Sequence, residues 1–187
     1  NRTLHEIYLP PYKSAVDAGV FSIMAAHNEV NGIPSHSNKK LMSDLIRHQW
    51  GFDGFYVSDW LDIERLETLH RVARNFKEAV YLAVDAGIDM HMHGPHFPEL
   101  VSELVNEGKL SEERVNYACS KILEAKFKLG LFENRYVDED NISEKIFNKS
   151  HKDLALKLAR EGIVLLKNDY VLPLHKAKKV KNKILVT

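Results

Sequence analysis

The sequence predicts an α/β fold in which short parallel strands alternate with covering helices. Two observations carry this. Residues 4 to 130 run in the order α-β-α-β-α-β-α. The three strand segments in that run are short and apolar on both faces, as parallel strands buried under helices are. Glycines stand at the segment ends, where a left-handed residue stops a helix.

The first helix covers residues 4–18, with Pro10 and Pro11 bending or restarting it because proline has no N–H to donate. Gly19 stops it. Residues 20–26 (VFSIMAA) are a buried strand. Asn31-Gly32 and Pro34 mark turns. A helix over 38–49 follows, capped by Asn38, with Leu41, Leu45 and Ile46 on one face. Trp50-Gly51-Phe52-Asp53-Gly54 makes a tight aromatic connection into a strand at 55–58, and Asp59-Trp60 opens a loop. A helix at 72–85 ends at Gly87. A third strand at 88–92 breaks at Gly94-Pro95, and a helix follows over 98–107. The 111–129 helix is the clearest. Ser111 caps it, Glu112 and Glu113 suit its positive end, and Val115, Ala118, Ile122, Ala125 and Leu129 form its apolar stripe. Cys119 reads as a core residue beside that stripe.

Residues 133–149 lose this periodicity and read as a surface linker. Ser150 and Asp153 start a helix at 151–161. Ile163–Leu166 reads as a strand, Leu172-Pro173-Leu174 as an extended piece, Lys176–Lys183 as a solvated basic turn, and Lys183–Thr187 as a strand. The expected domains are therefore 1–132, a linker over 133–149, and the start of a second domain over 150–187.

Composition removes several classes of function. The chain has 187 residues, 44% apolar and 28% charged, with 26 basic and 26 acidic side chains. That apolar fraction, at zero net charge, does not describe a disordered chain. It also argues against a nucleic-acid surface or an anionic membrane surface. No apolar run approaches the ~18 residues of a membrane span. One cysteine excludes an intrachain disulfide framework. The chain falls short of the roughly 250 residues of a closed eight-unit barrel. It begins on a helix with no preceding strand and ends on a strand, so it reads as a piece of something larger. Three strands also leave unpaired edges, and self-association through them into a homo-oligomer is an alternative from a non-catalytic class.

In a parallel sheet, chemistry collects at the C-terminal strand ends. Those ends offer His27 and Asn28, then Ser58, Asp59 and Trp60, then His91 and His93. A carboxylate beside an indole suits a sugar, whose apolar face stacks on the ring while the carboxylate meets charge developing at the anomeric carbon. From position alone Asp59 reads equally as a helix N-cap or a loop carboxylate facing water, and Trp60 as core. His91 and His93 have a metal-like spacing, but no carboxylate or cysteine completes a site, so a hydrogen-bonded polar rim is favoured.

The stretches MAAHNEVNGIP (24–34) and WGFDGFYVSDW (50–60) resemble the signature of family 3 glycoside hydrolases, exo-acting β-glucosidases and β-xylosidases among them. RTLHEIYLPP (2–11), AGIDM (86–90), EGIVLLKN (161–168) and LPL (172–174) resemble supporting stretches of the same family, so the likeness covers nearly the whole chain. The resemblance implies that residues 1–132 form the C-terminal half of a (β/α)8 barrel, its last three strands, and that the remainder begins an α/β sandwich domain. It implies a retaining β-glycoside hydrolase, β-glucosidase first, with xylosidase or arabinofuranosidase on the same scaffold as the alternative. Asp59 of Ser-Asp-Trp is then the nucleophile, and Trp60, Met24, His27 and Arg65 line the sugar subsite. His27 stands where the family often has Tyr. Arg65 is expected to help keep Asp59 ionised. No metal or organic cofactor is implied. The acid/base carboxylate is expected from the second domain, beyond Thr187, and the sugar-gripping Lys-His pair from strands before Asn1. The 187 residues alone are therefore expected to be inactive. The compartment is left open, with a periplasmic or secreted parent as the working expectation.

Overall fold

Pro10 and Pro11 occupy the first turn of α1 (Leu9–Asp17), where a missing N–H costs no hydrogen bond. Leu4–Tyr8 winds more widely just before it, and the Leu9 N–H reaches back to the Leu4 carbonyl. The computed structural model describes residues 2–170, 172 and 173, and the chain divides into two compact units, Asn1–Arg135 and Tyr136–Thr187.

In the first unit, β1 (Ser22–Met24) pairs in parallel with β4 (Phe55–Val57), Met24 lying opposite Val57. Between them the Asn31-Gly32 turn joins a two-residue hairpin, β2 (Glu29–Val30) and β3 (Ile33–Pro34). A 3-10 turn at Ser35–Ser37 leads into a wide-wound helix, Lys40–Gln49. Asn38 caps it, its Oδ1 accepting the Leu41 N–H at 3.1 Å. Gly54 brings β4 against β1. A Cβ there would stand 2.2 Å from the Phe21 carbonyl oxygen and 2.7 Å from the Phe52 ring.

The third expected strand shrinks to one parallel bridge, Val57 to Met90. The Ser58 N–H donates to the Met90 carbonyl, but the Met92 N–H turns to the Ser58 Oγ at 2.9 Å. A side chain thus takes the donor that a longer ladder needs, and Gly94-Pro95 follows at once. The described fold is accordingly α/β, mostly helical, with few parallel strands.

After β4 the structure adds a helix absent from the sequence reading, α2 (Asp62–Thr68). The helix expected at 72–85 is α3 (Phe76–Ala86), and it starts later because the Asn75 side chain caps it, accepting the Glu78 N–H. Then come α4 (Phe97–Asn106) and α5 (Glu112–Lys128), the latter capped by Ser111 as expected. Tyr56, Ile63, Leu66, Ala79, Val80, Ala83, Ile88 and Leu104 are essentially sealed from solvent. Each fully buried large aliphatic side chain among them contributes about 1.5–3 kcal/mol. Cys119 is a correction: it is exposed. It follows the buried Ala118 by one residue, about 100° around the helix from the packed stripe.

One charge cluster lies under this core. The Asp89 carboxylate is fully buried between Arg47 at 2.7 Å and Arg114 at 2.9 Å. It also accepts the Tyr56 N–H at 2.8 Å. Arg47 donates further to the Gly54 carbonyl and the Tyr117 hydroxyl, and Arg114 to the Val84 and Ile88 carbonyls. The cluster joins four segments distant in sequence.

In the second unit a 3-10 turn (Glu139–Asn141), a short helix α6 (Ile142–Lys145) and α7 (Lys149–Gly162) are described. The expected linker thus carries helical turns of its own. Asn148, not Ser150, caps α7. Its Oδ1 accepts the His151 N–H at 3.0 Å, and the Ser150 hydroxyl donates to that same oxygen. Ile163–Leu166 is not a strand: it is extended and exposed, with no paired strand among the described residues. Leu174, the basic turn after it and the strand expected at 183–187 lie outside the described residues. Among the described residues, no helix is long and apolar enough to cross a membrane.

Candidate active site

The parallel register fixes which side chains share a rim. Met24 ends β1 opposite Val57, and Val57 bridges Met90. Residues just beyond these three points therefore gather at the C-terminal end of the sheet: His27, Asp59 and Trp60, and His91 with His93.

Asp59 leaves β4 through a tight turn. Its backbone N–H donates to the His36 Nε2 at 3.0 Å, and its carboxylate accepts the Trp60 N–H at 2.6 Å. Leu61 follows in the left-handed region at φ 55° and starts α2. The Asp59 side chain does not cap that helix; only its carbonyl meets the Asp62 N–H, at 3.4 Å. The carboxylate is half-buried. Trp60 is exposed, not core, and its ring lies flat on His93 with centroids 4.0 Å apart and planes 4° from parallel.

Beneath this turn sits a second carboxylate that sequence reasoning gave no role. Asp62 is 2% exposed. Its Oδ1 takes the Arg65 Nη1 at 2.7 Å and stands 2.8 Å from the His27 Nδ1. Its Oδ2 faces the His36 Nδ1 at 3.8 Å. Burial pushes the Asp62 carboxyl up, but the hydrogen bonds from Arg65 and His27 outweigh it and hold it below the usual range. Arg65 also donates to the Trp60 carbonyl at 3.0 Å. The expectation that Arg65 supports Asp59 directly is thus corrected. Asp62 lies one helical turn away on the same face and, being buried, claims the guanidinium.

His36 was missed as well. It lies on the 3-10 turn behind the hairpin, 2% exposed, and burial lowers its pKa despite the nearby Asp62 and Asp59. Only the Pro34 turn marked this place in sequence, and nothing there distinguishes the histidine. His91 is buried too, stacked on Phe97 and 3.5 Å from Glu64, and burial pushes its pKa down. Glu64 in turn packs on Gly94, where a Cβ would stand 2.0 Å from its Oε1. The hydrogen-bonded rim expected here is thus not what forms: the His91 side chain is buried and its Nε2 has no hydrogen-bond partner. No group of three or more His, Cys, Asp or Glu able to hold a metal occurs among the described residues.

Met24 is half exposed and faces a cavity of about 610 Å³ beside β1, walled also by Tyr8, Tyr12, Asn28 and Tyr56. Asp59 and Trp60 do not line that cavity. The structure thus brings His27 and Arg65 together on Asp62, sets Asp59 and Trp60 on the turn above, and leaves Met24 on the neighbouring wall.

Residues 1–125 match a family described as the glycosyl hydrolase family 3 N-terminal domain. A β-xylosidase from Formosa agariphila is 39% identical over 186 residues, covering 95% of this chain and 26% of the relative. A periplasmic β-glucosidase from Salmonella typhimurium is 34% identical, covering 95% of this chain and 24% of the relative. A solved β-glucosidase from Listeria innocua, in complex with glucose, superposes with a TM-score of 0.81 at 37% identity, over 92% of this chain and 24% of that one. The chain spans about a quarter of the length of these proteins.

Proposed function

Since the chain belongs to glycosyl hydrolase family 3, we propose that it contributes the nucleophile to a retaining, exo-acting β-glycoside hydrolase, with Asp59 as that nucleophile. The observation that carries this reading is the Asp59 turn. The carboxylate stands at the C-terminal end of β4, half-buried, beside an exposed indole, and its hydrogen-bonding partner is an amide, not a cation. An amide N–H orients the carboxylate without the competing ion pair a cation would form, which leaves it free to attack.

On this reading Asp59 attacks the anomeric carbon of a terminal β-linked sugar as the glycosidic bond breaks. A glycosyl-enzyme forms, and water later takes its place with overall retention of configuration. Trp60 gives the ring a face to pack on. Asp62, held by Arg65 and His27, stiffens the turn that presents both residues. The leaving oxygen needs a proton from a second carboxyl group about 5–5.5 Å from the first. Asp62 is tied up in ion pairs and Glu64 is packed against Gly94 and His91, so neither is assigned that role.

The same reading makes residues 1–132 the C-terminal half of a (β/α)8 barrel, 133–149 a linker and 150–187 the start of an α/β sandwich domain. The 187-residue chain by itself is then expected to release no measurable aryl alcohol from aryl β-glucosides. Turnover by that chain would contradict the missing-acid argument. β-Glucosidase is the first choice of activity, supported by the glucose-bound neighbour. The β-xylosidase relative supports the second choice. A panel of aryl glycosides given to the enzyme that carries this chain separates the two. In that enzyme, a 2-fluoro glycoside is expected to leave its sugar covalently on the peptide containing Asp59, read by mass spectrometry. A label on a different carboxylate would overturn the assignment.

A further inference from the structure

The backbone of Asp59 is held by a side chain that comes from the far side of a hairpin. His36 is buried, and its Nε2 accepts the Asp59 N–H at 3.0 Å. An imidazole nitrogen that accepts carries no proton, so the hydrogen of neutral His36 sits on Nδ1. Nδ1 faces Asp62 Oδ2 at 3.8 Å, beyond hydrogen-bonding range, and that oxygen is buried with no hydrogen-bond partner. The tautomer is thereby set by the Asp59 amide, the Nδ1 proton faces one carboxylate, and the Nε2 lone pair is directed at the turn that carries the other.

We propose that His36 is a positioning residue for the nucleophile, fixing Asp59 through its main-chain N–H and doing so only as neutral imidazole. This rests on the assignment of Asp59 as nucleophile. A proton on Nε2 would set two donors against each other, N–H facing N–H, and the turn would have to move. The Asp59 carboxylate moves with its backbone, and a displacement of about 1 Å costs roughly 100-fold in rate. The titratable groups that face His36 are Asp62, Asp59, His27 and His70. The two aspartates favour its protonation, while burial and the two histidines oppose it. Burial is the largest effect, so the neutral form prevails into mildly acid solution. Glutamine can reproduce the function, since its side-chain oxygen accepts but does not titrate in this range.

The test uses the full enzyme that carries this chain, in three forms: unaltered, His36→Ala and His36→Gln. The measurements are kcat and KM against pH with an aryl glycoside, and the rate at which a 2-fluoro glycoside labels Asp59. His36→Ala is expected to lower kcat and the labelling rate roughly 10- to 100-fold, with KM within about threefold. His36→Gln is expected to recover most of that loss. It should also make the acid limb of kcat less steep than in the unaltered enzyme, since no imidazole at position 36 is left to take up a proton. Equal rates in all three forms would overturn the proposal, as would an unchanged acid limb in His36→Gln. If His36→Ala does not fold, the acid limb of His36→Gln decides alone. Labelling of Asp59 in the unaltered enzyme reports separately on the nucleophile. If it is labelled and His36→Gln leaves the acid limb unchanged, His36 is a structural histidine only; if it is not labelled, the nucleophile assignment falls first and this proposal with it.

Discussion

Asp59→Asn is expected to lower kcat by on the order of 10⁴-fold in the enzyme that carries this chain, with little change in its melting temperature. At ~1.4 kcal/mol per tenfold, that is about 5–6 kcal/mol of lost transition-state stabilisation. The amide keeps an oxygen to accept the Trp60 N–H at nearly the same place. The His36 bond is untouched because it uses the main chain. What disappears is the negative charge and the capacity to bond to carbon. A kcat within tenfold of the unaltered enzyme, measured on an aryl β-glucoside after removal of contaminating wild-type protein, would refute the nucleophile assignment.

Asp89→Ala should produce a large loss of stability, well beyond that of removing an exposed charge. Two guanidinium groups, Arg47 and Arg114, share that carboxylate, with side chains 9% and 20% exposed. Deleting the anion leaves two like charges poorly solvated and beside each other, a change that costs about 3–5 kcal/mol. The Tyr56 N–H in β4 loses its acceptor as well. By contrast, Lys39–Asp85 is an ion pair of similar length, at 2.9 Å, but about half exposed, and exposed pairs contribute about 0–1 kcal/mol. Asp89→Asn keeps an acceptor and should fall between the two. Urea midpoints at unchanged slope measure the difference. A midpoint for Asp89→Ala equal to that of Asp85→Ala would show that the cluster contributes nothing special.

How much of this was legible beforehand depends on whether the signal is local. The two parallel strands could be read because their apolar runs are bounded by turn residues, and the Ser111 cap because capping is a contact three residues long. The Ser-Asp-Trp turn was visible through its motif. The α2 helix was not, because it begins at Leu61 in a left-handed conformation that no propensity favours, and it spans only Asp62–Thr68. The third strand failed because a serine hydroxyl competes for its backbone donor. The partners of Asp62 and Asp89 come from up to 42 residues away, and no period along a single chain reports such contacts. His36 belongs to the same class: a histidine after a proline turn looks like any surface residue until the neighbouring strand is in place. The resemblance placed Arg65 near the site, but the expected partner was the wrong carboxylate, since the sequence does not tell which aspartate is buried.

The close approach at Gly54 bears on how this region can be varied. Any side chain there would collide with the Phe21 carbonyl and the Phe52 ring. Those obstacles are main chain and a rigid aromatic, so neither yields cheaply. Diversity introduced around this bend, by drift or by a mutant library, is thus confined to the outward position beside it, Asp53, which is mostly solvated. The bend tolerates one residue at its centre and many at its shoulder, and the spacing between aromatic and acidic letters in that stretch becomes a fixed ruler for recognising distant kin.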